Sequence, residues 1–296
     1  METSDRNAPI VVGIDREPDS ADALVWAIDE AEATQRPLRL VHAYEWLVDQ
    51  PPFFHPVGNN RLDVVSRVDF EQRGRRIAED AEVFVRAMSS RLPVTTHVVE
   101  GTPSRVLTEE GRQASALVLG SHARGFAGRV LMGSVSSAVV SRPPCPVTVV
   151  RAVIDPESRD DATRPIVVGV DGSPSSRAAL RFAVGHAAAH KRRLVLVHSW
   201  HKLSRRSAGT AHEQLDVRDN WLHGVVDHIR QEHPALDIVR AVASEAPAAT
   251  LVDWSRRARL VVVGASEHHS HIGSVTQALL HHAWSPVTVV PAPFGR

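Results

Sequence analysis

The stretch PIVVGID at residues 9–15 decides the fold, because it returns almost unchanged as PIVVGVD at residues 165–171. Each version is a short apolar run, mostly β-branched, that ends in glycine and aspartate, which is typical of a buried strand followed by a turn. Three further blocks repeat in the same order along the chain. The repeat therefore indicates two copies of one domain, copy one in the N-terminal half and copy two in the C-terminal half.

The spacing of the repeated blocks shows where the copies differ in length. The first block and the pair LRLVHAYEW and LVLVHSWHK, which begin at residues 38 and 194, share an offset of 156 residues. LVLGSHARG and VVVGASEHH, at 117 and 261, are 144 apart, and the final VTVV segments, at 147 and 287, are 140 apart. Copy two therefore lacks twelve residues after its second strand and four more inside its glycine-containing loop.

A polar segment separates the copies. DPESRDDATR, residues 155–164, has no hydrophobic periodicity and reads as a linker. We predict one domain over residues 8–152, a linker over 153–164 and a second domain over 165–293.

Each copy alternates short valine-rich runs with longer amphipathic segments. In copy one, strand-like runs cover residues 10–14, 38–43, 94–99, 116–119 and 147–150, and helical spacing covers 20–35, about 60–92, 103–113 and 134–141. Alternating strands and helices predict an α/β fold with helices on both faces of a parallel sheet. The sequence thus predicts two doubly wound, five-stranded, Rossmann-like domains in tandem.

The charge balance and the cysteine count limit which partners and which cellular compartment we expect. Lys+Arg and Asp+Glu both number 34, so no global positive field recruits nucleic acid or an acidic membrane. Cys145 is the only cysteine, which excludes a disulfide within the chain and favours a reducing compartment. The N-terminus lacks the pattern of a signal peptide, and no apolar run reaches the ~20 residues of a membrane helix. We expect a cytoplasmic protein.

Ligands of open parallel sheets bind beyond the carboxyl ends of the strands. Asp15 and Asp171 follow the first strand of each copy, and Ala43 and Ser199 lie at the end of the second. The fourth strand of copy one leads into GSHARGFAGRVLMGSVSS, residues 120–137. These positions are the candidate site.

The glycine-containing loop of copy one has two interpretations. Its glycines allow backbone N–H groups to turn inward, Arg124 and Arg129 add positive charge, and Ser134 is placed to cap the next helix, all of which suit an anion. The alternative is a plain strand–helix connection that uses glycine for turns. Neither the G-x-x-x-x-G-K-[ST] nor the G-x-G-x-x-G motif is present.

The motifs taken together resemble one family. The spacing Gly120-x2-Ala123-x9-Gly133-Ser134 closely resembles the G-x2-G-x9-G-[ST] nucleotide loop of universal stress proteins. VVGID, VVGVDGSPSS, LVHA, LVHS, PCPVTVV and SPVTVV fit the same family, and the resemblance covers nearly the whole chain. The chain looks like a tandem universal stress protein of the actinobacterial kind.

This resemblance implies a strand order of 3-2-1-4-5 and an adenosine-nucleotide site. ATP is the implied ligand, with Mg²⁺ as an optional companion, and no separate metal site is expected. Family members pair through the last strand, so the two VTVV strands are expected to pair within the chain. A homodimer and an unidentified regulatory protein partner are further expectations.

The resemblance carries the family's binding residues onto both copies. In copy one they are Gly13, Asp15, Ala43, Gly120, Ser121, His122, Ala123, Arg124, Gly125, Gly133, Ser134 and Val135. In copy two they are Gly169, Asp171, Ser199, Gly264, Ala265, Gly273, Ser274 and Val275.

Both copies depart from the family pattern. In copy one, Ala123 replaces the second motif glycine, and Glu17 stands in the turn where DGS is usual. Copy two keeps DGS, but its loop has eight residues between Gly264 and Gly273 against twelve in copy one, and it carries Glu267, which would repel phosphate. We predict that copy one binds ATP and that copy two binds a smaller adenosine ligand or none.

Other side chains have ordinary interpretations beside functional ones. His42 and His198 are expected to be packed or bonded to the backbone, and Cys145 to be structural. Tyr44, Trp46 and Trp200 either cover an adenine or simply pack. A histidine-rich surface is favoured over zinc binding for the seventeen histidines, among which the cluster at residues 267–271 is the best metal candidate.

Three functions follow from these patterns. The favoured one is a stress-response regulator whose ATP occupancy shifts a conformation or dimer state. The second is slow ATP hydrolysis around Asp15, which no Walker lysine or second metal-binding carboxylate supports, so no catalytic residue is predicted. The third is a dimerisation scaffold without nucleotide.

Overall fold

Runs of buried valine, isoleucine and leucine form the strands of a computed structural model. It describes residues 7–15, 20–46, 54–57, 61–64, 67–121, 133–151, 163–199, 211–266 and 272–292. Spatial contacts divide the chain into two compact units, residues 1–120 and 121–296. The predicted domain boundaries remain predictions, because this division follows contacts rather than the sequence repeat.

The first unit is built on four parallel strands. Its elements in chain order are β1 (Ile10–Gly13), α1 (Ala21–Thr34), β2 (Leu38–Tyr44), β3 (Phe54–Val57), β4 (Arg61–Val64), α2 (Arg67–Met88), β5 (Val94–Glu100), α3 (Pro103–Gly111) and β6 (Ala116–Gly120). The strands lie in the order β6-β1-β2-β5. Val12 in the central strand β1 lies beside Leu40 and Val118, and all three are buried.

The predicted helix over residues 60–92 is wrong at its start. Residues 61–64 form β4, which pairs antiparallel with β3, and helix α2 begins only at Arg67. The sequence between the two strands, Gly58-Asn59-Asn60, is typical of a tight turn, which favours a hairpin over a helix. The hairpin lies in the segment that holds the twelve residues by which copy one exceeds copy two.

The second unit contains α4 (Ser134–Ser141), β7 (Val147–Val150), β8 (Ile166–Gly169), α5 (Pro174–Ala189), β9 (Leu194–Ser199), α6 (Ala211–Glu232), β10 (Ile238–Ala243), α7 (Pro247–Ser255), β11 (Leu260–Gly264), α8 (Ser274–His282) and β12 (Val287–Val290). Its strand order is β10-β9-β8-β11-β12-β7. The five strands of copy two follow the order 3-2-1-4-5, and the first unit shows the corresponding 3-2-1-4. The predicted α/β fold and strand order are confirmed.

The last strand of copy one pairs with the last strand of copy two. β7 runs antiparallel to β12, with Val149 beside Val287 and Thr148 beside Thr288. This confirms the predicted pairing of the two VTVV segments. It also explains why β7 belongs to the second unit, although its sequence belongs to copy one. Among the described helices, none has the length and apolarity needed to cross a bilayer.

Candidate functional site

A serine fixes the turn after the first strand of each copy. In copy one, Ser20 Oγ accepts a 2.7 Å hydrogen bond from the backbone N–H of Asp15 and donates to its carbonyl oxygen. In copy two, Ser176 Oγ accepts from the N–H groups of Asp171 at 3.4 Å and Gly172 at 3.1 Å. Both aspartates are exposed at the carboxyl end of their strand. The predicted carboxylates thus occupy equivalent places.

The DGS turn of copy two is tightly bonded. Gly172 has a φ of 85°, a left-handed conformation that glycine adopts without strain. Asp171 Oδ1 accepts the backbone N–H of Ser173 at 2.9 Å, and Ser173 Oγ caps α5 by accepting the N–H of Ser176 at 3.1 Å. Arg177 also donates to the carbonyl oxygen of Gly172. These bonds hold the carboxylate at a fixed position.

The hydrogen bonds also tune the charge of Asp171. Partial burial raises the pKa of its carboxyl, but hydrogen bonds from Ser173 and Ser176 lower the pKa by more, so the net pKa lies below its ordinary value. Asp171 is therefore ionised at neutral pH. An accessible, ionised carboxylate of this kind accepts hydrogen bonds from ligand hydroxyl or amino groups.

The histidines of the second strands serve the fold. Nδ1 of His42 lies 3.0 Å from the carbonyl oxygen of Ile14, and Nδ1 of His198 lies 2.8 Å from that of Val170. Both rings are buried. The expectation of backbone-bonded imidazoles is confirmed in both copies.

Trp221 lies beside the Asp171 turn, at a position that the sequence analysis does not single out. Its ring meets His198 edge to face at a centroid distance of 5.3 Å, and its Cζ2 lies 3.6 Å from where a Cβ on Gly172 would stand. The side chain is nevertheless 40% exposed. An aromatic face is thus open beside the Asp171 turn. At the same position of copy one stands Ile77, so comparing the two copies is the signal that could have found it.

The ends of the second strands differ in their side-chain bonding. Ala43 and Ser199 both lie in their strands as predicted, and Ser199 Oγ donates to the carbonyl oxygen of Glu245. Tyr44 is buried, and Trp46 packs edge to face on Phe70 at 5.6 Å, which supports packing as their role. Trp200 lies outside the described residues.

Three of the predicted binding glycines are closely packed, and backbone packing requires glycine at Gly264. A Cβ on Gly13 would come within 2.8 Å of the Leu119 side chain, and one on Gly169 within 2.9 Å of Leu251. A Cβ on Gly264 would lie 2.5 Å from the backbone carbon of Ser175, because the start of α5 passes directly against the end of β11. The glycine at 264 is therefore explained without a ligand, whereas at Gly13 and Gly169 the leucine side chains could shift. Ligand contact at all three glycines stays a prediction.

The residues after the fourth strands are tied to the fifth strands. Ser121 donates its backbone N–H to the carbonyl oxygen of Val150, and Ala265 does the same to Val290, both at 2.8 Å. These N–H groups therefore serve the sheet, and any ligand contact must use other atoms. Ser121 Oγ is buried, and no described residue gives it a hydrogen bond.

The next helices begin at a glycine instead of a serine cap. Ser134 was expected to cap α4, but Gly133 holds the N-cap position in extended backbone and Ser134 is the first helical residue. Helix α8 repeats this with Gly273 and Ser274. Neither helix has a side-chain cap, so the first-turn N–H groups, including those of Val135 and Val275, face out of a positively polarised helix end.

Several predicted positions cannot be placed. His122, Ala123, Arg124, Gly125, Glu17 and the cluster at residues 267–271 lie outside the described residues. The expectation of surface histidines is wrong for His186, which is 5% exposed and packs against His190 in a tilted arrangement with ring centroids 4.3 Å apart. Cys145 is buried, and burial raises the pKa of its thiol to about 12, which confirms a structural role.

The repeated strand order defines a tandem, doubly wound α/β protein. Polar turns and helix N-termini lie at the carboxyl ends of its strands, where proteins of this class bind ligands. The model of the Universal stress protein family matches residues 7–151 and again residues 162–291. The chain belongs to the universal stress protein family.

Known relatives agree over the full length. A universal stress protein of Mycobacterium tuberculosis is 32% identical over 298 residues, covering 95% of this chain and 96% of the relative. One of Mycolicibacterium smegmatis is 28% identical over 290 residues, covering 95% and 96%. The crystal structure of a universal stress protein from Archaeoglobus fulgidus has a TM-score of 0.68 at 15% identity, covering 99% of this chain and all of that one, and so shares the fold.

Proposed function

We propose that this protein is a stress-response regulator that binds adenosine nucleotides at the carboxyl ends of its strands. Copy one takes ATP, and copy two takes a smaller adenosine ligand. The observation that carries the proposal is the Asp171 turn beside the exposed ring of Trp221. ATP occupancy acts by shifting a conformation or an association state that a protein partner senses.

The turn of copy two suits the ribose. The Asp171 carboxylate is ionised and accessible, and its Oδ1 is anchored by Ser173. Ribose hydroxyls donate well to such a carboxylate, since charge-assisted hydrogen bonds are stronger than neutral ones. Asp15 offers the same chemistry in copy one, where Ser20 fixes its backbone.

The ring of Trp221 suits the base. It is held on one side by His198 and stays 40% exposed. Stacking of a base on an aromatic side chain is worth about 1–3 kcal/mol. Copy two therefore has an aromatic side chain on which adenine can stack. Copy one has the aliphatic Ile77 at the equivalent position.

The two copies differ in the loop that would hold the phosphates. The loop of copy two is four residues shorter and contains Glu267, whose charge opposes a polyphosphate. Copy one keeps the longer loop with Arg124 and Gly125. These features favour a triphosphate in copy one and adenosine or its monophosphate in copy two.

Calorimetric titration of the full chain with adenosine, AMP and ATP tests this assignment. The halves should not be separated, because that would break the β7–β12 pairing. Trp221→Ala should weaken adenosine binding about tenfold, from the value of one lost stacking contact. Ile77→Ala, its counterpart in copy one, should leave adenosine binding unchanged. Equal effects of the two variants would refute the assignment to copy two.

A phosphate-release assay on the same samples tests the alternative of slow hydrolysis. The regulator should bind ATP without steady turnover. ATP turnover that is lost in Asp15→Asn would show that the protein is an ATP-hydrolysing enzyme instead of a regulator. Binding of neither adenosine nor ATP would leave the scaffold as the function.

A further inference from the structure

A cavity lined by arginines lies at the amino ends of the strands of copy two, opposite the carboxyl ends that hold the candidate nucleotide site. It measures about 420 Å³, within the size range of small-molecule sites. Its cationic lining consists of Arg164, Arg193, Arg256 and Arg257. An adjoining cavity of about 750 Å³ shares Thr163 and Arg193 with it and adds Lys191 and Arg192. This region, the arginine pocket, lies where β8, β9 and β10 begin.

The arginine pocket is remote from the candidate nucleotide site. Arg193 directly precedes β9, whereas Ser199 ends it. A strand of six residues spans about 20 Å, so a ligand in one place does not reach the other. Any binding at the arginine pocket is therefore a separate activity.

The floor of the pocket is apolar. Val195 of β9 and Val239 of β10 lie side by side in the sheet, and Trp254 of α7 completes the lining. Val239 is 39% exposed, although it is apolar. A ligand with a planar apolar body would cover this floor.

The guanidinium groups are held in place without full neutralisation. Arg257 stacks on Trp254 at 4.3 Å and Arg256 on Trp284 at 4.9 Å, which uses their faces and leaves in-plane N–H groups. Asp253 lies near both, at 3.2 and 3.9 Å, and Asp237 pairs with Arg193 at 2.6 Å. Glu232 also lines the adjoining cavity. The four arginines, together with Lys191 and Arg192, thus outnumber the three carboxylates, which leaves a net positive rim.

Copy one provides an internal control, because a cluster of ion pairs occupies the equivalent place. There Arg39, at the position of Val195, binds Glu110 at 3.0 Å, and His97 binds the other oxygen of Glu110 at 3.1 Å. Glu110 occupies the position of Trp254. Of the four arginine positions only one is kept, since Ala8, Pro37, Arg112 and Gln113 stand there. The fold therefore does not require the arginines.

We propose that the arginine pocket of copy two is a second small-molecule site, for an anion that carries a phosphate group on a planar apolar body. Guanidinium groups bind phosphate oxygens through paired N–H donors, and each such charge-assisted contact contributes about tenfold in affinity. The valine and tryptophan floor selects the apolar body, as in other ligand pockets.

Fluorescence titration of the full chain with 4-methylumbelliferyl phosphate tests the site. The ester should bind saturably, and 4-methylumbelliferone, which lacks the phosphate, should bind at least about tenfold more weakly. The double variant Arg193→Gln/Arg257→Gln should weaken the ester at least about tenfold. Both side chains are largely exposed, so this variant should keep its unfolding temperature.

Matched controls locate the effect. Arg112→Gln, at the position that Arg256 has in copy two, and Asp171→Ala should leave ester binding unchanged. Val195→Arg/Trp254→Glu should rebuild the ion pair of copy one and abolish binding. Absence of saturable ester binding, or binding that survives the arginine double variant, would overturn the proposal. Preference for an oligonucleotide over the ester would also overturn it in favour of a nucleic-acid surface.

Discussion

The hydroxyl oxygens of Thr148 and Thr288 lie 2.8 Å apart inside the antiparallel β7–β12 pair, and both side chains are buried. The two residues occupy equivalent positions in the two copies, so this hydrogen bond joins a residue to its own counterpart in the repeat. The pairing joins the final strand of copy one to the sheet of copy two.

This bond predicts a non-additive mutant pair. Thr148→Val alone leaves the Thr288 hydroxyl buried without its partner and should lower the free energy of unfolding by about 1–3 kcal/mol. Thr288→Val should cost a similar amount. The double variant removes both hydroxyls and should cost less than the sum of the singles, as measured by urea unfolding. Strict additivity would show that the hydroxyls do not interact.

A second prediction concerns the glycine at the end of β11. Gly264→Ala would place a Cβ 2.5 Å from the Ser175 backbone, which must then shift, and we expect a loss of about 1–3 kcal/mol. Gly185→Ala is the control, because nothing lies within 4 Å of its Cβ position in α5, and alanine should stabilise that helix by up to about 1 kcal/mol. Thermal unfolding of both variants decides. Equal stability would mean that α5 does not pack against Gly264.

The Glu110 cluster predicts a pH dependence. Burial raises the pKa of Glu110, but hydrogen bonds from His97 and Arg39 lower the pKa by more, so that the folded value is depressed. A depressed folded pKa stabilises the protein above the unfolded pKa, and this contribution is lost as the pH falls through the folded pKa. Glu110→Gln should therefore cost about 1 kcal/mol at neutral pH and progressively less in acid.

Glu109→Gln is the matched control for the Glu110 cluster. Glu109 is 66% exposed in its pair with Arg112, so the free energy of unfolding should change little at any pH. Urea unfolding over a pH series measures both variants. A cost of Glu110→Gln that grows toward low pH would contradict the sign.

Cys145 predicts an inert thiol. Burial raises its pKa to about 12, so almost no thiolate exists at mildly alkaline pH. Ellman's reagent should label the native chain far more slowly than the urea-unfolded chain, which should give one thiol per molecule. Rapid labelling of the native protein would contradict the burial of this side chain.

Much of this structure follows from local sequence signals. The repeat of PIVVGID predicts the two first strands, and the valine-rich runs predict the parallel sheets, because buried strands need apolar residues on both faces. The position of Asp15 and Asp171 follows from the rule that turns after parallel strands meet at one edge. The backbone bonds of His42 and His198 follow from their place in apolar strands.

Other features depend on contacts between distant elements. Trp221 reaches the site because α6 packs over β10 and brings the ring against His198 of β9. Such packing between distant elements is not encoded in a local pattern. The arginine pocket needs the register of β9 against β10, which brings Val195 beside Val239. Ser134 was misassigned as a cap because an extended Gly133 fits the same position. The β3–β4 hairpin was missed because its short strands interrupt a segment that otherwise has helical spacing.

Equilibrium dialysis of the full chain against radiolabelled ATP tests the central claim, adenosine-nucleotide binding at the carboxyl ends of the strands, most directly. We predict saturable ATP binding that is lost in Asp15→Ala and retained in Asp171→Ala. The absence of saturable binding, or binding that neither substitution changes, would contradict the account.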